Sequence, residues 1–96
     1  MIDDRCAQFA MVQREALETF IRKNTDYGDS FAEYGVIGVI VRMGDKIRRA
    51  ITVDGTGITL VASESLRDTL MDLHNYAAMG VMLLDETREG KDVGKF

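Results

Sequence analysis

The sequence predicts a small all-α domain of three main helices, with a β-hairpin possible between the second and third helices. The 96 residues include no proline, so no helix interior has to lose an N–H donor. Apolar residues recur at steps of three and four in three separate segments, the spacing of a single helix face. We expect residues 1–85 to form one helical domain and residues 86–96 to form a flexible tail.

The composition indicates a globular chain without a membrane span. Hydrophobic residues make up 46% and charged residues 29%, and no run of apolar residues is long enough to cross a bilayer. The net charge of -4 argues against duplex nucleic acid or an acidic membrane as partner. Cys6 and His74 are the single cysteine and histidine, which excludes an internal disulfide and a zinc site of several such ligands. We expect a cytoplasmic protein.

The first segment begins at Asp3 or Asp4, either of which can cap a helix. Its predicted core face contains an amide, Gln13, which needs a partner if buried, and a cysteine expected to fill the core. The helix should end near KNTDYGDS, which is rich in turn-forming residues. The predicted face comprises Cys6, Phe9, Ala10, Gln13, Leu17, Phe20 and Ile21.

The second segment, GVIGVIVRMGDKIRRAI, has a first half that favours a strand by propensity. Val36, Ile40, Met43, Ile47 and Ile51 nevertheless recur at helical steps, so we predict a helix; a strand here would make the fold α+β. Glycines 38 and 44 are either weak points or close-packing positions. The run ITVDGTGITLV then predicts a β-hairpin.

The third helix is predicted to start after Ser63 as its N-cap. Past Tyr76 it is apolar nearly all round (AAMGVMLL), which indicates burial on two sides and suggests a subunit interface in a homo-oligomer. Its predicted core seam comprises Leu66, Leu70, Leu73, Ala77, Val81 and Leu84.

Two charged stripes are candidate sites. Glu64, Asp68, Asp72 and Asn75 lie opposite the predicted seam of helix three, so they should point away from the core. They form either a solvated face or an oxygen-ligand site for Mg²⁺.

On helix two, Arg42, Lys46 and Arg49 can reach one anion such as a phosphate. The alternative is a salt-bridged surface in which Asp45 pairs with Arg42 or Arg49.

A third candidate is the polar segment formed by Lys23, Asn24, Asp26, Tyr27 and Gly28. One interpretation is a helix C-cap followed by a turn. The other is a nucleotide-facing loop, with Tyr27 stacking on a base and Lys23 near phosphate. His74, beside the core seam, is predicted to be a hydrogen-bonded structural residue.

Together these segments resemble the nucleotide-modification-associated domain, type one, of bacteriophages and bacteria. The resemblance runs from about Lys23 to Met79 in three ordered motifs. They are KNTDYG; the pattern Arg42, Asp45, Lys46, Arg49; and ESLRDTLMDLHNYA, which includes Asp68, Asp72 and Asn75.

The last two helices also look like those of MazG-type nucleoside triphosphate pyrophosphohydrolases, which are helical, oligomeric Mg²⁺ enzymes. That resemblance implies two carboxylate pairs for the metal. Glu15 and Glu18 have the spacing of the first pair, whereas the second falls on Thr69 and Asp72 and lacks one carboxylate. This departure favours nucleotide binding over hydrolysis.

Three functions follow from this reading. The first is binding of a nucleotide or nucleotide-derived molecule without turnover, as in a phage anti-defence protein that sequesters nucleotide immune signals in the host cytoplasm. Lys23, Asn24, Asp26, Tyr27, Arg42, Lys46, Arg49 and Asn75 would then bind the ligand. The second is Mg²⁺-dependent pyrophosphohydrolysis, with Glu64, Asp68 and Asp72 as metal ligands. The third is a protein-interaction module with no nucleotide affinity. Whether the protein is an enzyme is left open.

Overall fold

A computed structural model describes residues 2–28, 30–61 and 66–88. The long helices are α1 (Ile2–Tyr27), α2 (Gly35–Ala50) and α3 (Leu66–Arg88), with a 3-10 turn at Ser30–Ala32. Strands β1 (Ile51–Asp54) and β2 (Gly57–Leu60) lie between α2 and α3. The predicted helical class is thus confirmed, and so is the hairpin.

The chain divides into two compact units, Met1–Ser30 and Phe31–Phe96. The last turn of α3 extends to Arg88, into the segment predicted as a tail. Ser63, the predicted N-cap of this helix, lies outside the described residues.

The first unit is dominated by α1, which ends at a glycine in the left-handed conformation. Gly28 has φ of 64°, and its N–H donates to the carbonyl oxygen of Asn24 at 2.7 Å. This is the single hydrogen bond of an αL C-cap. The predicted C-cap is confirmed, but Lys23 to Tyr27 belong to the last turns of the helix and do not form a loop.

The predicted core face of α1 is wrong in phase. Ala16 is buried, whereas Phe9, Leu17 and Ile21 are each more than half exposed. Gln13 is exposed and therefore needs no buried partner, and Cys6 is exposed and does not fill a core. A wide apolar stripe on a helix has several possible phases, and the periodicity of one segment cannot choose among them.

The second unit is built on an antiparallel pair of helices. Lys46 contacts Asp72, and Val39 packs over Gly80, where an added Cβ would lie 3.7 Å from the valine Cγ1 atom. The residue numbers of the contacts on α3 fall as those on α2 rise, so the two helices run in opposite directions.

The two glycines inside α2 differ in how closely other atoms approach them. A Cβ on Gly38 would lie 2.6 Å from the Cβ of Tyr34, so this glycine allows the first turn of α2 to pack closely. At Gly44 the nearest atom is the flexible end of Arg48 at 3.4 Å. Of the two interpretations offered by the sequence, close packing holds at position 38.

The β-hairpin closes the connection between the two helices. β1 and β2 pair antiparallel, with Ile51 opposite Leu60 and Asp54 opposite Gly57. Just beyond the hairpin, the N–H of Val61 donates to the carbonyl oxygen of Ala50 at 2.9 Å. This bond ties the start of the α3 connection to the end of α2.

The predicted seam of α3 is also wrong in phase. Four of its leucine and valine side chains are between 36% and 56% exposed: Leu66, Leu70, Val81 and Leu84. Met71, Asn75, Gly80 and Leu83 are buried instead. The face judged to point away from the core, because it carries Asp72 and Asn75, is therefore partly turned inward. Within the described residues, no helix is both long and apolar enough to cross a membrane.

Replacing Gly28 tests the termination of α1. Gly28→Ala should lower the free energy of unfolding by about 1 kcal/mol, because alanine tolerates positive φ poorly. Gly28→Asn is the matched control and should cost less, since asparagine enters this region more readily. Urea unfolding followed by circular dichroism measures both. Equal losses for the two variants would show that backbone conformation does not explain the glycine.

Candidate functional site

The ion pair between Lys46 and Asp72 joins α2 to α3. The Nζ atom of Lys46 donates to Oδ2 of Asp72 at 2.7 Å. The two side chains are 30% and 22% exposed, so water screens this pair less than it screens a pair on an open surface. The contact therefore fixes the direction of the lysine side chain.

A cleft of about 130 Å³ lies beside this ion pair, at the end of α2. It is lined by Lys46, Arg49, Ala50, Val61, Leu66 and Thr69. Val61 is held in the wall by its hydrogen bond to Ala50. Small-molecule pockets usually enclose about 300–1,000 Å³. This cleft therefore accommodates a single polar group, with the rest of any ligand outside.

The charge around the cleft favours an anion. Lys46 and Arg49 line it, and Asp72 is the carboxylate that contacts the lysine. Among the described residues that line the cleft or contact its lysine, two cations accompany one carboxylate, which leaves a positive balance. Arg49 adds a forked donor and Thr69 a hydroxyl that can donate to an oxyanion.

The two charged stripes predicted from the sequence come together on one side of the helix pair. Each residue in a helix turns about 100° from the one before it. From the contact residue Lys46, Arg42 and Arg49 lie to one side of α2. From Asp72, Asp68 and Asn75 lie to one side of α3. Because the helices are antiparallel, these two sides coincide, and we call them the motif face (Arg42, Arg49, Asp68, Asn75).

Asn75 is the interior member of the motif face. It is 9% exposed, and its Oδ1 atom lies 2.9 Å from Nδ1 of His74. A protonated Nδ1 donates to this amide oxygen, which gives a buried polar group the partner it requires. The predicted structural role of His74 agrees with this contact.

Asp45 pairs with a residue that the sequence analysis did not choose. Its Oδ1 atom accepts a hydrogen bond from the Nη2 atom of Arg48 at 2.7 Å, so the predicted pairing with Arg42 or Arg49 is wrong. Both partners are largely exposed. Arg49 lines the cleft, whereas its neighbour Arg48 pairs with Asp45 on the exposed surface.

The other predicted ligand-binding residues lie in the first unit. Lys23 and Asp26 are exposed on the last turns of α1, and Asn24 is half-buried. Tyr27 is the final residue of that helix, and its predicted stacking role concerns a side chain outside the described part of the structure.

The predicted metal ligands are not gathered into one cluster in the described ranges. No three acidic, histidine or cysteine side chains there are placed to share a cation. Asp72 contacts Lys46, Asp68 is exposed, and Glu64 lies outside the described residues.

Sequence reasoning missed the apolar and hydroxyl walls of the cleft. Ala50 and Val61 lie outside the three motifs, whereas Leu66 and Thr69 lie within ESLRDTLMDLHNYA but were not chosen as ligand-binding residues. Leu66 was predicted to belong to the core seam, and Thr69 was noted as the place where a carboxylate was expected. The available signal was the four-residue step from Lys46 to Ala50, which places both on one face of α2.

A double-mutant cycle measures the ion pair. Lys46→Met and Asp72→Asn should each destabilise the chain, and their coupling energy should be about 1 kcal/mol. The matched control is Asp45→Asn with Arg48→Met, a pair of the same length but greater exposure, which should couple by less than about 0.5 kcal/mol. Urea unfolding gives both values. Equal coupling in the two cycles would contradict the role of partial burial.

Comparison with known proteins identifies a family but no individual relative. No curated protein matches the chain, and no solved structure does. The similarity to MazG-type enzymes therefore stays a prediction. The family model described as Nucleotide modification associated domain 1 matches residues 23–84, which include α2, the hairpin and most of α3. The chain belongs to the Nucleotide modification associated domain 1 family.

Proposed function

We propose that the protein binds a nucleotide or nucleotide-derived molecule by placing one phosphate in the cleft at the end of α2. The observation that carries this proposal is the lysine at the cleft wall. Asp72 holds Lys46 in position at 2.7 Å, and Arg49 and Thr69 line the same space. A preoriented ammonium group, a guanidinium group and a hydroxyl suit the tetrahedral oxygens of a phosphate.

The size of the cleft limits what it recognises. About 130 Å³ holds the phosphate but not a base and sugar. The nucleoside would extend over the motif face, where Arg42 is exposed on the same helix. Asp68 would then lie near the nucleoside rather than near a phosphate, which avoids repulsion between like charges.

Binding without turnover is the form of this function that the residues favour. Asp72 is already engaged by Lys46, and a carboxylate held by an ammonium group is a poorer ligand for a cation. A protein that holds a nucleotide without cleaving it is suited to sequestering nucleotide signals, as an anti-defence protein of a bacteriophage does. Mg²⁺-dependent hydrolysis is the competing outcome of the test below.

The direct test is calorimetric titration of the purified protein with pyrophosphate, a linear nucleoside triphosphate and a cyclic dinucleotide, each with and without Mg²⁺. Mass spectrometry then follows the solution and any molecule released on denaturing the protein. We expect at least one nucleotide to bind and to be recovered intact. Formation of monophosphate and pyrophosphate only with Mg²⁺ would replace sequestration by hydrolysis. If nothing bound, the charged residues would be surface and the protein-interaction module would be favoured.

Matched arginine variants locate the site. Lys46→Met and Arg49→Ala should each weaken binding roughly tenfold, since each removes a charge-assisted contact to phosphate. Arg48→Ala removes the same charge one residue away but pairs with Asp45 outside the cleft, so its affinity should stay within about twofold. Equal losses for Arg48→Ala and Arg49→Ala would indicate attraction by net charge alone.

Asp72→Asn separates the two mechanisms. If the aspartate only orients Lys46, anion binding persists in this variant, because the lysine charge remains and a competing carboxylate is gone. If Asp72 is a metal ligand, Mg²⁺-dependent turnover is lost. Calorimetry and product analysis on the same protein sample report both quantities.

A further inference from the structure

The cleft at the end of α2 combines hydrogen-bond donors with apolar walls. The donors are the ammonium group of Lys46, the guanidinium group of Arg49 and the hydroxyl group of Thr69. The other side chains that line it have no polar atom: Ala50, Val61 and Leu66. The side chains of the cleft therefore offer a ligand three donor groups.

The hydroxyl group of Thr69 is not used within its own helix. Threonine hydroxyls in helices often donate to a carbonyl oxygen about one turn earlier. The hydroxyl of Thr25 donates in this way to Ile21 at 2.9 Å, and that of Thr87 donates to Leu84 at 2.7 Å. Within the described ranges, the half-buried Thr69 side chain makes no such bond. Its hydroxyl group is therefore available to a ligand in the cleft.

The charge at the cleft favours a dianion over a monoanion. Among the described residues that line it or contact its lysine, Lys46 and Arg49 are positive and Asp72 is negative, which leaves a single positive charge. Coulomb attraction is proportional to the charge of the ligand, so this balance attracts a dianion about twice as strongly as a monoanion.

Two kinds of phosphate differ in charge and in the number of acceptor oxygens. A phosphate monoester has one ester oxygen and three terminal oxygens, and it carries a charge of about −1.5 to −2 at pH 7. A phosphodiester, as in a cyclic nucleotide, has two ester oxygens, two terminal oxygens and a single negative charge. The three donor groups match the terminal oxygens of the monoester, whereas a diester leaves one donor group without an acceptor.

The volume of the cleft favours the same kind of phosphate. At about 130 Å³ it accommodates one polar group, with the rest of the ligand outside. A terminal phosphate has only one substituent to leave outside. In a cyclic nucleotide both ester oxygens belong to a ring, so a wider group has to approach the same opening.

We propose that the cleft takes the terminal phosphate of a linear nucleotide, a group bonded to the rest of the ligand through one oxygen, and selects against cyclic nucleotides. This inference rests on the proposed phosphate site and specifies the class of ligand that the site takes. Nucleotide signals held by the protein would then be linear molecules that end in a phosphate.

Paired ligands test this selectivity in calorimetric titrations without Mg²⁺, so that no turnover is measured. Ribonucleoside 5′-mono- and 5′-triphosphates are each compared with the methyl ester of the same nucleotide at its terminal phosphate. The methyl group turns one terminal oxygen into an ester oxygen and leaves the base and sugar unchanged. The 3′,5′-cyclic monophosphates are the second comparison. We expect at least one linear nucleotide to bind roughly tenfold or more tightly than its methyl ester and its cyclic form.

The outcomes separate this inference from the proposal on which it rests. If a linear nucleotide and its diester forms bind within about twofold of one another, or a diester binds more tightly, the phosphate site stands and its selectivity is refuted. If no nucleotide and no pyrophosphate binds, the phosphate site is refuted, and the selectivity with it.

Threonine variants locate the selectivity. Thr69→Val replaces the hydroxyl by a methyl group, so affinity for the linear nucleotide should fall about two- to tenfold while affinity for the diesters falls less. Thr69→Ser retains a hydroxyl and should retain the selectivity. Thr59→Val is the matched control, because Thr59 is exposed on β2 and does not line the cleft. Circular dichroism checks the fold of each variant. Unchanged selectivity in folded Thr69→Val, or an equal loss in Thr59→Val, would refute the contribution of the third donor.

Discussion

The antiparallel pairing of α2 and α3 depends on two contacts of different kinds. Near the hairpin end, the ammonium group of Lys46 meets the carboxylate of Asp72 at 2.7 Å. Two turns away, Val39 packs over Gly80, where an added Cβ would lie at an ordinary contact distance of 3.7 Å from the valine Cγ1 atom. These contacts set the register of the two helices, and the register decides which residues form the cleft and which form the motif face. A half-turn shift of one helix along the other would separate Arg49 from Thr69, and the cleft would no longer form.

Sequence reasoning was sound for what depends on local chemistry. The absence of proline and the steps of three and four gave the helices, and the glycines of DGTG gave the hairpin. It also singled out Lys46, Arg49 and Asp72: Lys46 contacts Asp72, and Lys46 and Arg49 line the same cleft. Gly28 was correctly placed at a helix end, although the residues before it are helical.

The phase of α3 could not be predicted for a physical reason. A helix that has apolar residues on more than one side offers several candidate core faces, and pattern analysis selects the most hydrophobic one. In this chain the most hydrophobic stripe is the exposed one, and the inward stripe contains Asp72, Asn75 and Gly80. The partner of Asp72 is 26 residues away in sequence. No local pattern reports a tertiary contact at that separation.

The two contacts between α2 and α3 respond differently to dissolved salt. Dissolved ions screen the attraction between an ammonium group and a carboxylate that are partly open to water. The same ions leave the packing of Val39 on Gly80 intact, and strongly hydrated salts such as sulfate strengthen it. Rising ionic strength should therefore weaken the contact between Lys46 and Asp72 beside the cleft, while the packing of Val39 on Gly80 stays intact.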